Sequence, residues 1–137
     1  MKAAAEARDI EVTRARGATV VRPEGGRLDL EAAARFRGRL HELIQAGHRN
    51  LVIDLSEISF IDSSGLGALV SALKLLKNGR DRRRAPRTGR ARRGATRGDV
   101  RLAGAQPPVL SLLEVIRLNR VFASFESVDA AVTSYKT

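Results

Sequence analysis

Cysteine is absent from the sequence, which excludes a disulfide framework, a thiolate metal site and a cysteine nucleophile together. Histidine is nearly absent. The two imidazoles, His41 and His48, have no evident ligand partner, so both read as solvated, His48 near the negative end of a helix dipole. No metal site and no cofactor are expected. No apolar run approaches the roughly 18 to 20 residues of a membrane span, and Met1-Lys2-Ala3-Ala4-Ala5-Glu6 lacks the apolar core of a signal peptide. A cytoplasmic protein with no membrane contact is the expectation. Neither a G-x-x-x-x-G-K-[ST] phosphate loop nor a G-x-S-x-G nucleophile turn occurs, so the chain is not expected to be an enzyme.

What the sequence holds in excess is positive charge, a formal +10 over 137 residues. The excess is local. Residues 78–98 carry nine arginines against the single acid Asp81, a net of +8; the remaining 16 basic and 14 acidic residues leave only +2. This segment is rich in arginine, glycine, alanine and threonine and has almost no large apolar residue, so it cannot bury enough surface to offset its ordering entropy and is expected to be disordered. Joining Lys77-Asn78 directly to Gly98-Asp99 would leave an ordinary helix-to-strand turn, which makes 78–98 an insertion into one complete domain spanning 1–137.

Outside the insertion, strand and helix patterns alternate. Ile10 to Ala15 and Ala18 to Pro23 flank a tight turn and read as an opening hairpin. Asp29 is placed to cap a helix whose apolar stripe is Ala33, Phe36, Leu40, Leu43 and Ile44, with Gly47 suited to its left-handed close. Leu51-Val52-Ile53-Asp54-Leu55 reads as a buried central strand. A second helix follows Asp62, with Leu66, Leu69, Val70, Leu73 and Leu76 toward the core. Asp99 to Ala103 is a further strand. Pro107 and Pro108 open a helix with Val109, Leu112, Leu113 and Ile116 as its stripe, ending near Leu118 or Asn119. Val121 to Phe125 reads as the last strand, and Ser127 caps a final helix carrying Val128, Ala131, Val132 and Tyr135. The pattern predicts an α/β fold: a single layer of mostly parallel, mixed sheet with about four helices, opened by a β-hairpin.

The run Asp62-Ser63-Ser64-Gly65-Leu66-Gly67 lies where a strand gives way to a helix. Asp62, Ser63 and Ser64 are all good N-cap residues, and the free amides and positive dipole end there favour an anion. By themselves these residues are explained by a capped helix start. Gly65 and Gly67 would allow close backbone approach, to the sheet or to a partner.

With Gly26-Arg27-Leu28-Asp29 before the first helix, Leu51 to Leu55 as strand, and Asp62 to Gly67 opening the second helix, the chain resembles the STAS family of anti-sigma factor antagonists. The resemblance covers nearly everything except the arginine-rich insertion, which departs from the family pattern. It implies a partner switch. Ser63, directly after the aspartate, is the implied phosphorylation site, with an anti-sigma factor that is also a serine kinase as partner. The unphosphorylated form binds that partner and frees a sigma factor, phosphorylation of Ser63 releases it, and a phosphatase restores binding. The implied partner-binding residues are Asp29, Asp62, Ser63, Ser64, Gly65, Leu66 and Gly67; Ser64 is the nearest competitor for the phosphate. Transcription would be regulated through the partner, and no direct DNA binding is expected.

Two other readings remain open. STAS domains also occur in signalling and lipid-transport assemblies as interaction modules that do not switch. The insertion could bind nucleic-acid phosphates without sequence preference, although it lacks aromatic residues for stacking on bases.

Overall fold

A computed structural model describes residues 10–78 and 98–135. Strands β1 (Ile10–Ala15) and β2 (Ala18–Pro23) form the antiparallel hairpin, closed by Arg16 and Gly17, both at positive φ (48° and 88°), as a two-residue hairpin turn requires. Helix α1 (Leu30–Gln45) begins on Asp29, whose carboxylate accepts from the Ala32 amide at 3.3 Å. Its predicted stripe is the buried set, and Gly47 takes φ 108° just past its end. Strand β4 (Asn50–Asp54) follows, with β3 (Arg27–Leu28) before α1 and β5 (Phe60–Ile61) after β4. Helix α2 (Ser63–Asn78), strand β6 (Asp99–Ala103), helix α3 (Pro107–Val115), strand β7 (Ser124–Phe125) and helix α4 (Val128–Thr133) complete the described order.

The main sheet runs β1-β2-β4-β6-β7, and every pairing after the opening hairpin is parallel. The central strands are buried on both faces, which is why they read as continuous apolar runs. Val21, Leu51, Ile53, Val100 and Leu102 pack under α1, α2 and α3 with Phe36, Leu69 and Val109. Ala18, Val20, Val52 and Ala103 face the other way, against Ala131 and Val132 of α4. Tyr135 clamps that second layer: its hydroxyl donates to the carbonyls of Leu51 (2.7 Å) and Asp99 (2.8 Å), and Arg101 stacks on its ring at 4.0 Å.

Three expectations change. Helix α3 stops at Val115 rather than near Leu118, because Arg117 adopts a left-handed conformation (φ 64°) and Ile116 is turned out to solvent. A single 3-10 turn at Leu118–Arg120 follows. The last strand shrinks to Ser124–Phe125: it pairs only with Leu102 and Ala103, and Phe122 is drawn into the core before pairing begins. The histidines are not simply solvated. His41 Nε2 lies 3.0 Å from the Ser71 hydroxyl and His48 Nδ1 lies 2.6 Å from that of Thr19, both rings half-buried. The predicted disordered insertion 78–98 lies outside the described residues apart from its ends, Asn78, which closes α2, and Gly98, which leads into β6.

Burial, then the nearby Arg37, lowers the pKa of His41; burial, then Arg14, Arg39 and Arg49, lowers that of His48. The unfolded chain therefore takes up protons first as pH falls, so this contribution to stability is full above the ordinary histidine pKa of about 6.5 and is lost below it. Thermal melts followed by circular dichroism should give a falling Tm from pH 7.5 to 5.5, and a His41→Gln/His48→Gln chain should give a flatter profile. A wild-type Tm that holds or rises toward acid contradicts this account.

Candidate functional site

The small β3–β5 pair decides where the site forms. Arg27 pairs with Phe60 and Leu28 with Ile61, in parallel, so the segments leading into α1 and α2 run side by side. The Gly26 carbonyl accepts from the amides of Ser59 (2.8 Å) and Phe60 (3.2 Å). The starts of two packed helices are thereby presented at one end of the molecule, beyond the carboxyl ends of the parallel strands. No local pattern announces this pairing. Each strand is two residues long, and its partner lies some thirty positions away.

Each helix start is capped by an aspartate. Asp62 Oδ1 accepts from the amides of Ser64 (2.8 Å) and Gly65 (3.2 Å), and the Asp62 carbonyl receives the Leu66 amide at 3.0 Å. Of the three candidate caps, Asp62 takes the role, which leaves Ser63 as the first helical residue with an exposed side chain. Ser64 is half-buried. Asp29 is bonded to the Ala32 amide and, at 3.4 Å, to Arg27 Nε. The amide bond first, and Arg27 after it, hold its carboxyl below the usual aspartate range.

Asp29 and Asp62 line a shared hollow with Leu30, Glu31, Ala34 and Arg35. Leu30, one of its lining residues, is 72 % exposed, and Phe60, 40 % exposed, has its ring covered on one side by the guanidinium of Arg27, which also bonds Asp29. A large, freely exposed leucine therefore stands beside an apolar ring and two carboxylates. Among the described residues no cluster of histidine, aspartate and glutamate has metal-site geometry, and no helix is long and apolar enough to cross a membrane.

The predicted residues divide into two layers. Asp29, Asp62, Ser63, Ser64 and Gly67 reach the surface or its margin, whereas Gly65 and Leu66 lie beneath it. Leu66, expected on the partner face, turns inward with Leu69, Leu73 and Leu76, because the fourth helical position lies on the core stripe. The two glycines also part company. A Cβ at Gly67 would meet nothing within 4 Å, so no close approach occurs there. At Gly65 it would lie 2.6 Å from the Leu28 carbonyl oxygen and 2.7 Å from Ile61 Cγ1. Gly65→Ala should therefore push α2 off the β3–β5 pair and destabilise the fold by about 2–3 kcal/mol, and Gly67→Ala, in open space within α2, should stabilise it by about 0.5–1 kcal/mol. Urea unfolding of both variants checks the contrast; equal midpoints would refute it. Leu30, Phe60 and the hollow were not identified from sequence. The apolar residues placed just outside the stripes, Leu30 and Phe60, were the available signal.

The STAS domain family model matches residues 9–81. Over 125 residues the chain is 27 % identical to an anti-sigma F factor antagonist of Paenibacillus polymyxa, covering 90 % of this chain and 92 % of that one. A STAS-domain anti-sigma-factor antagonist protein from Planctomyces limnophilus superposes with a TM-score of 0.75 at 21 % identity, covering 94 % and 99 % of the two chains. The Bacillus cell fate determinant SpoIIAA in its phosphorylated form gives 0.60 at 18 % identity, covering 93 % and 99 %. These last two likenesses establish a common fold. The family match takes in the hairpin, the twin helix starts and all of α2, more than half of the sequence, and on that ground the chain belongs to the STAS domain family.

Proposed function

We propose that this chain is an anti-sigma factor antagonist whose hold on an anti-sigma factor is switched at Ser63. The unphosphorylated form binds a partner that is both anti-sigma factor and serine kinase, and so frees a sigma factor for transcription. Phosphorylation of Ser63 releases the partner, and a phosphatase resets the switch. The observation that carries this reading is the exposed Ser63 hydroxyl on the first turn of α2, next to the hollow lined by Asp29, Leu30 and Asp62. A kinase needs a reachable hydroxyl, and a partner needs apolar area with a polar rim; here the two adjoin. The name of the Paenibacillus polymyxa relative supports the same role.

The experiment is intact-mass and peptide mass spectrometry after incubation with ATP and candidate anti-sigma kinases from the same cell, comparing wild type with Ser63→Ala. One added phosphate on Ser63, missing from the variant, is the expected result. A phosphate on Ser64 instead overturns the site. Tight binding without any phosphate overturns the switch and leaves a constitutive interaction module.

The same proposal treats the chain as one domain interrupted by an insertion at 78–98. Supporting it, Lys77 Nζ lies 3.8 Å from Asp99 Oδ1, so the two ends of the segment meet as the ends of a short turn would.

A further inference from the structure

The end of the sheet opposite Ser63 has its own chemical character. There β2, β4 and β6 begin, at Ala18, Asn50 and Asp99, and the β1–β2 turn carries Arg16. Arg14 is the cross-strand partner of Thr19, whose hydroxyl lies 2.6 Å from His48 Nδ1, and Arg49, next to His48, donates to the Ile44 carbonyl at 3.1 Å, so both cations stand beside His48 with Arg39 of α1 close enough to act on its charge. Two carboxylates near this end, Glu42 and Asp99, are already engaged: Glu42 by Arg39 at 3.0 Å, and Asp99 by Arg101 at 3.2 Å and Lys77 at 3.8 Å. Arg14 and Arg16 are exposed and form no ion pair among the described residues.

Arg16 is the telling residue. It occupies a left-handed position of a hairpin turn, where glycine or asparagine is the unstrained choice. An arginine there costs about 1 kcal/mol or more of backbone strain, which places a fixed cation at the tip of the hairpin without any contact in the fold to offset it. At this same end the Asp99 amide, directly after Gly98, donates to the Arg49 carbonyl at 3.0 Å.

We propose that this basal face, built from Arg14, Arg16, Arg39 and Arg49, is a second binding site that takes the phosphodiester backbone of nucleic acid, independently of the Ser63 surface. Guanidinium groups suit phosphate because their planar donors match its oxygens. A bilayer surface fits less well: among the described residues none of the large exposed apolar side chains lies on the hairpin turn, at the end of α1 or on β4, so nothing there would enter the lipid. Binding is then independent of sequence and steep in salt.

The test measures fluorescence anisotropy of a labelled 20-nucleotide single-stranded RNA and a 20-base-pair DNA duplex, titrated with the full chain across a salt series. The variant is Arg14→Gln/Arg16→Asn, asparagine being tolerated at the left-handed position, with its melting curve checked against wild type. Losing two phosphate contacts should lower the salt slope by about 1.4 for the RNA and about 1.8 for the duplex, and weaken binding roughly 20- to 60-fold at 0.1 M salt. A control, Arg117→Asn/Arg120→Gln, removes two exposed cations near the opposite edge strand and should bind as wild type. Ser63→Ala should also bind unchanged. Tighter binding of one nucleic acid than the other identifies which backbone the face takes. Four results overturn the proposal: no binding of either probe by wild type; equal losses in the basal variant and the control; an unaffected basal variant, whatever replacement of the nine arginines of 80–97 by glutamine does; or capture by equimolar phosphatidylglycerol–phosphatidylcholine vesicles with no anisotropy change on nucleic acid.

Discussion

Ser63→Asp should weaken binding of the cognate anti-sigma kinase by roughly 30-fold or more, while Ser63→Ala binds as tightly as wild type. An unmatched charge desolvated against a partner costs on the order of 2–5 kcal/mol, and each 1.4 kcal/mol is a factor of ten. The fold should hardly notice. A negative charge on the first turn of α2 meets the positive end of the helix dipole, a gain of about 0.3–1 kcal/mol, opposed by the neighbouring Asp62 carboxylate. Asp62 is itself bonded to the amides of Ser64 and Gly65, so its charge is fixed in place beside any new one. Phosphate, carrying about −1.5 to −2, should act in the same sense and more strongly. Isothermal titration calorimetry of the three chains measures the affinities, and circular dichroism measures the melting. Equal affinity of the aspartate and wild-type chains would refute an electrostatic switch, and lost helix in the aspartate chain would show that the release works through unfolding instead.

Phe36→Ala should cost about 3–5 kcal/mol, among the largest stability losses expected of a single apolar truncation here. Phe36 is fully buried on the stripe of α1, within the core that joins α1 and α2 to the sheet. The loss has two sources: apolar surface returned to water in the unfolded reference, and a cavity that rigid neighbours on a parallel sheet cannot close. For a domain of this size the melting temperature should fall by on the order of 10–20 °C. Because α1 and α2 meet through this core and together carry Asp29 and Asp62, partner binding should weaken as well. A loss below about 1 kcal/mol in denaturant titration would mean that the site collapses around the alanine.

These two residues show what kind of information a sequence carries. Phe36 was legible because a helix repeats every 3.6 residues, and Ala33, Phe36, Leu40, Leu43 and Ile44 fall on one side of it. Asp29, Ser127, Gly47 and Pro107 were legible for the same local reason: caps and helix ends are set by the conformational preferences of one or two residues. Strands 10–15, 18–23 and 99–103 appear with the bounds their composition indicates. Where local signals compete, the reading slipped. Ile116 continues the apolar spacing of α3, but Arg117 leaves the helical conformation and the stripe ends early. The resemblance counts Leu66 among the partner-binding residues, whereas the helical phase that puts it on the apolar stripe turns it into the core.

By itself, then, the sequence determined the order of the main-sheet strands and the helices, most of the buried stripes, and the aspartates that start α1 and α2, since each depends on residues within a turn or two of one another, and it located most of the positive charge in residues 78–98. Only the tertiary structure decided that Asp29 and Asp62 share one hollow, that Gly65 rather than Gly67 is pinned against Leu28 and Ile61, that His41 and His48 find Ser71 and Thr19, and that Arg14, Arg39 and Arg49 surround His48 at the far end. Each of these joins residues on different elements, many of them about thirty positions apart. Such contacts exist only once the parallel sheet has fixed the register and direction of its strands, and no pattern of period two or 3.6 encodes them.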